Sequence, residues 1–132
     1  MSAKKRILLV DDDEFILTCI KRMLEKRFDL DVAQGANDAL EVFTARGPFA
    51  VILSDMRMPG MGGIQLISRA QEFSPSTVGL LLSGDGRCDE TDEAIRNGIV
   101  LRLLDKPCEA DAMAQAIEEA LETHESLVQV TA

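Results

Sequence analysis

Residues 50–63 read AVILSDMRMPGMGG: four apolar side chains from Ala50 to Leu53, then Ser54 and Asp55, then a loop of Met, Pro and Gly. A short unbroken apolar run closed by turn residues is the pattern of a strand covered on both faces. Ile64, Leu66, Ile67 and Ala70 follow at helical spacing, so the loop joins a strand to a helix and holds an aspartate near the junction.

The same unit recurs on both sides. Arg6 to Val10 is an apolar run ended by Asp11, Asp12 and Asp13. Phe15, Ile16, Cys19, Ile20, Met23 and Leu24 then repeat at helical spacing, with Lys and Arg on the other face. Residues 30–33 predict a shorter strand, and a helix over 36–45 stops at Arg46-Gly47-Pro48. Downstream, strands over 77–82 and 99–104 alternate with helices over 89–96 and 109–122, the first of these helices closed by Asn97-Gly98. Five strands alternating with five helices predict an α/β fold, a doubly wound parallel sheet in a three-layer α/β/α arrangement. The final HESLVQVTA is open to three readings: helix continuation, frayed end or start of a linker. The domain is therefore placed at residues 1–125, with 126–132 as a tail.

At 132 residues, 46% hydrophobic and 28% charged, the chain suits one globular domain able to bury a core. A net charge of -9 argues against direct nucleic-acid binding, which rewards clustered Lys and Arg. Cys19, Cys88 and Cys108 are widely spaced and form no CxxC pair, which argues against zinc and a disulfide framework and for a reducing cytoplasm. The leading MSAKKR runs into only ILLV before the first aspartate, too short for a signal-peptide core or a membrane span.

In open α/β sheets, ligands bind outside the carboxyl ends of the strands. Here the first strand leads to Asp11, Asp12 and Asp13, the third to Asp55, the fourth to Ser83 and the fifth to Lys106-Pro107, while the second offers only Gln34 and Gly35. Carboxylates converging on one point repel each other, and a hard dication such as Mg²⁺ relieves that repulsion. An aspartate so supported can attack phosphorus and form an acyl phosphate, with an ammonium and a hydroxyl to stabilise the phosphoryl oxygens. Asp13, just ahead of Glu14, reads instead as a helix cap. Met56, Met58 and Met61 lack a neighbouring Cys or His and read as packing under the loop rather than as soft-metal ligands. His124, the single histidine, reads as a surface residue. Arg57 and Asp85 flank the edge and could pair across its mouth, limiting water access, a point the sequence leaves open.

VDDDEF at 10–15, SDMRMPGMGG at 54–63, LLLSG at 80–84 and LLDKP at 103–107 resemble, in order and spacing, the motifs of bacterial two-component response regulator receiver domains of the chemotaxis-regulator type. The resemblance covers about residues 5–121 and implies a flavodoxin-like sheet of strand order 2-1-3-4-5. It implies Asp55 as phosphoacceptor, Ser83 as switch hydroxyl and Lys106 as the phosphoryl contact. Mg²⁺ would be held by Asp12 directly, by Asp11 mainly through water, by Asp55 and by the backbone carbonyl of Arg57. Lys106-Pro107 would be a cis peptide.

What the resemblance implies is a phosphorylation-controlled switch rather than an enzyme proper. It would be charged by a histidine kinase or phosphotransfer protein and answer to an output domain or effector. Many such domains dimerise through the surface of the fourth helix, fifth strand and fifth helix. A haloacid-dehalogenase-type phosphatase would need an aspartate where Arg57 stands, and the absence of Trp, Tyr and a phosphate loop argues against a flavin binder. Two departures stand out. Leu103 occupies the place where many receivers carry a signalling aromatic, and all five Phe lie away from the last strand. NGIVLRLLDKPC at 97–108 is one residue longer before the lysine than in chemotaxis-type receivers. It is similar to receivers attached to HD-GYP phosphodiesterases at Ile99, Arg102, Leu104, Lys106 and Pro107.

Overall fold

The computed structural model describes residues 5–131. In chain order it comprises β1 (Arg6–Asp11), α1 (Glu14–Leu24), β2 (Asp29–Gln34), α2 (Ala36–Arg46) and β3 (Val51–Asp55). These are followed by α3 (Gly63–Phe73), β4 (Val78–Ser83), α4 (Asp89–Arg96), β5 (Val100–Asp105) and α5 (Ala110–Thr131). Every neighbouring pair of strands is parallel, and the sheet order is β2-β1-β3-β4-β5, as the resemblance implied.

Strand pleating sends successive side chains to opposite faces and so divides the core in two. Ile7, Leu9, Val51, Leu53, Leu80 and Leu82 pack under α1 and α5, against Leu17, Ile20, Ile117 and Ala120. Leu8, Val10, Ile52 and Leu81 pack on the other face, against Ala39 and Phe43 of α2, Leu66 and Ile67 of α3 and Ala94 of α4. Each fully buried Leu or Ile contributes about 1.5–3 kcal/mol. Strands covered on both faces have no polar side to show, hence the unbroken apolar runs.

Every strand runs past its apolar stretch and includes the polar residue at its end: Asp11 in β1, Gln34 in β2, Asp55 in β3, Ser83 in β4 and Asp105 in β5. Backbone pairing continues there, with Asp11 opposite Gln34, Asp55 opposite Leu82 and Ser83 opposite Asp105. Asp11, Asp55 and Ser83 therefore sit on paired strand, which holds them in place, while Asp12 and Lys106 follow one residue beyond a strand end.

The pairing of β4 with β5 carries one irregularity. Gly79 pairs with Val100 and Leu80 with Arg102, so Leu101 is left over as a bulge. The register has recovered by Leu103, opposite Leu81, and Leu104, opposite Leu82. Gly79 is needed at this crowded point, because a Cβ there would run into the Ile67 side chain and the Ile99 carbonyl.

α5 continues through Thr131, so residues 126–131 are helical, the first of the readings left open for the tail. His124 is half-buried rather than a plain surface residue, and its Nδ1 donates to the Ser76 carbonyl at 2.8 Å. Lys106-Pro107 is cis, and so is Gly47-Pro48. Cys19, Cys88 and Cys108 are free thiols. Among the described residues no helix is long and apolar enough to cross a membrane.

Candidate functional site

β1 and β3 are neighbours in register, Val10 opposite Ser54, so Asp11 and Asp55 follow side by side at the carboxyl edge. Asp11 is 1% exposed and Asp55 9%, while Asp12 faces solvent on the turn beyond. Carboxylate oxygens of the three lie within 4.8 Å of one another. Lys106, arriving from β5, places its Nζ 3.0 Å from Asp55 Oδ1 and 3.4 Å from Asp11 Oδ2.

One ammonium thus faces two buried carboxylates. Loss of water pushes the Asp11 carboxyl above its ordinary range, and the Asp55 charge adds to this. The Asp13 amide, donating to Asp11 Oδ1 at 2.9 Å, and the Lys106 charge pull the other way without cancelling it. For Lys106, burial works to lower the pKa, but the hydrogen bond to Asp55 and the charges of Asp11 and Asp55 together outweigh it and hold the ammonium firmly protonated.

Ser83 is buried on the same edge, and its carbonyl accepts from the Lys106 amide at 2.9 Å. Its hydroxyl oxygen accepts from the Asp85 amide at 3.2 Å and so is engaged by its own loop. Above it, Arg57 Nε donates to Asp85 Oδ2 at 2.8 Å, so the pairing that the sequence left open is present. The contact raises the Arg57 pKa, first through the hydrogen bond and then through the Asp85 charge. Asp13 caps α1, accepting from the amides of Phe15 and Ile16, as its position predicted. Met56 and Met58 are buried in the core beneath the loop, with Met61 packed against them.

Two contributions were not assigned from the sequence, although Gln34 and Gly35 were placed on this edge. Gln34 Nε2 donates to the Asp12 carbonyl at 3.2 Å, and the Gly35 amide donates to the Asp11 carbonyl at 3.1 Å, so the end of β2 anchors the acidic turn. The available signal was their place on the same edge, which an uncharged amide and a glycine made easy to pass over. Gly63 is the second. A Cβ there would meet the Asp55 carbonyl, the Leu81 side chain and Ser54 Oγ, so only glycine lets α3 begin this close to the end of β3.

The response regulator receiver domain profile matches residues 7–118. A solved structure of an adenylate cyclase from Rhodopirellula baltica superposes with a TM-score of 0.91 at 36% identity, covering 98% of this chain and 96% of that one. The signal receiver domain of an HD domain-containing protein from Pseudomonas fluorescens Pf-5 superposes with a TM-score of 0.86 at 31% identity, covering 98% and 95%. Among curated proteins, the uncharacterized transcriptional regulatory protein YesN of Bacillus subtilis is 32% identical over 120 residues, 88% of this chain and 32% of YesN. The chain spans about a third or less of the length of the first such regulators it matches. Profile, strand order and the acidic edge with its lysine agree, and the chain belongs to the response regulator receiver domains of two-component signal transduction.

Proposed function

We propose that Asp55 is the phosphoacceptor of this receiver, and that transfer of a phosphoryl group to it from a histidine kinase or phosphotransfer protein sets the state of the chain. The observation that carries this reading is the convergence on Asp55 of the Lys106 ammonium, at 3.0 Å, and of a second and third carboxylate within 4.8 Å. A structural ion pair would need only one partner for the lysine.

The donor set fits Mg²⁺: hard carboxylate oxygens, close enough together to share an ion, with a single cation among them. Asp12, Asp55 and the Arg57 carbonyl would hold it directly and Asp11 mainly through water. When bound, Mg²⁺ lowers the repulsion among the carboxylates and neutralises charge on phosphoryl oxygens. The protein's own groups do the rest. An Asp55 carboxylate oxygen forms the bond to phosphorus as the bond to the leaving group breaks, the leaving group departing with its electron pair. Lys106, held protonated by its neighbours, stays charged to meet the phosphoryl oxygens. The Ser83 hydroxyl turns from the Asp85 amide toward the new charge.

On this reading the chain acts on its own carboxylate and on no external substrate, as a switch in the cytoplasm. Its change of state is read by an output domain or effector, or by a second copy through the surface of α4, β5 and α5. Incubation with Mg²⁺ and acetyl phosphate should add one phosphoryl group, detected by intact-protein mass. Phosphorylation of Asp55→Asn at the wild-type rate would sink the proposal.

A further inference from the structure

Arg57 stands two residues past Asp55 on the loop between β3 and α3, and Asp85 stands two residues past Ser83 on the loop between β4 and α4. Their ion pair bridges the two loops that carry the acceptor and the hydroxyl. Asp85 is tied twice, its carboxylate to Arg57 at 2.8 Å and its amide to Ser83 Oγ at 3.2 Å. Only Nε of the guanidinium makes the Arg57 bond, so among the described residues the two terminal amino groups carry no other hydrogen bond.

From this arrangement, and resting on Asp55 as phosphoacceptor, we infer that Arg57 is an exchangeable phosphoryl-positioning cation: Asp85 restrains it in the resting chain, and it passes to the incoming phosphoryl group. A phosphoryl group brings close to two negative charges and three acceptor oxygens, against one carboxylate on Asp85. Both side chains of the pair are about two-thirds exposed, at 64% and 67%, so water already weakens the bond that must be broken. Guanidinium geometry favours two parallel bonds to phosphoryl oxygens, which the terminal amino groups can supply.

The exchange has a structural consequence. When Ser83 Oγ turns toward the phosphoryl group and Arg57 leaves Asp85, both ties on Asp85 are lost together. The loop is then free to move, and α4 begins four residues later with its own start already locked. Thr91 Oγ1 accepts from the Cys88 amide at 3.0 Å, and Arg87 pairs with Asp92 at 2.7 Å. Movement of residues 84–87 is therefore delivered to α4 as a unit. This route needs no aromatic at Leu103.

The test is the rate of Asp55 phosphorylation by acetyl phosphate with Mg²⁺, at donor concentrations below saturation. In the step measured, the Asp55 oxygen–phosphorus bond forms as acetate leaves with the electrons of the broken phosphorus–oxygen bond. Arg57→Gln should slow it about three- to tenfold, and Asp85→Asn, which releases the guanidinium beforehand, should speed it about twofold or more. The decisive arm is the double variant. Asp85→Asn should have no effect once Arg57 is Gln. An equal acceleration in both backgrounds would mean that Asp85 acts only as a general repulsive charge, and no effect in either would remove the latch; either result overturns the inference. Failure of the wild-type chain to label at Asp55 is a different outcome, because it overturns the phosphoacceptor assignment itself.

Discussion

Two ion pairs stand at the carboxyl edge of this sheet, and their lengths are nearly the same. Lys106 lies 3.0 Å from Asp55, and Arg57 lies 2.8 Å from Asp85. Their surroundings differ. The Lys106 and Asp55 side chains are 28% and 12% exposed, with the still more buried Asp11 beside them, whereas the Arg57 pair stands in water. Distance alone would rank the outer pair as the stronger. Dielectric reverses the ranking: the inner pair is a condition for having two carboxylates in the core edge at all, and the outer one is a contact that can be given up.

The largest effect should come from breaking the inner pair. Lys106→Met leaves Asp11 and Asp55 facing each other without compensation, and should cost about 1–3 kcal/mol in urea unfolding at neutral pH without divalent ions. The same variant should slow labelling by acetyl phosphate about 10- to 100-fold. A variant as stable as wild type would show that the carboxylates do not need the lysine.

Next in size is relief of the repulsion from the other side. The folded-state pKa of Asp11 lies above its unfolded value of 3.8. The folded state therefore binds the proton more tightly, and stability due to Asp11 is gained as pH falls through the raised value toward 3.8. At neutral pH the ionised group is a burden. Asp11→Asn keeps an oxygen for the Asp13 amide and should raise the melting temperature of the metal-free protein by about 3–5 °C at pH 7. The gap between the two proteins should narrow as the medium is acidified, and a gap constant with pH would contradict the assigned cause. The smallest effect belongs to the outer pair. Arg57→Gln should shift the melting temperature by less than about 1 °C, even while it changes the labelling rate.

Much of this was legible in the sequence, for reasons that can be named. The strands are apolar runs because both faces are covered, and Asp11, Asp55, Ser83 and Lys106 stood out because each follows such a run. Strand ends were set too early at Asp11, Asp55 and Ser83, since hydrophobicity reports where the core stops and not where backbone pairing stops. Gln34 supports the acidic turn through its amide and Gly63 by having no side chain, and neither carries a charge pattern to follow. The reach of α5 to Thr131 was ambiguous because Glu122, His124 and Glu125 interrupt the apolar spacing set by Met113, Ile117, Ala120 and Leu121.

The bulge at Leu101 bears on where Lys106 comes to stand. A strand that gains a residue ordinarily turns every later side chain over, which at this strand would swing Lys106 away from the carboxylates. Here the surplus is discharged at the entry to β5, before Leu103 and Leu104 meet their partners on β4. The first turn of the strand works as a tolerance joint. The irregularity is absorbed upstream, and the residues that lead into Lys106 stay in register with β4.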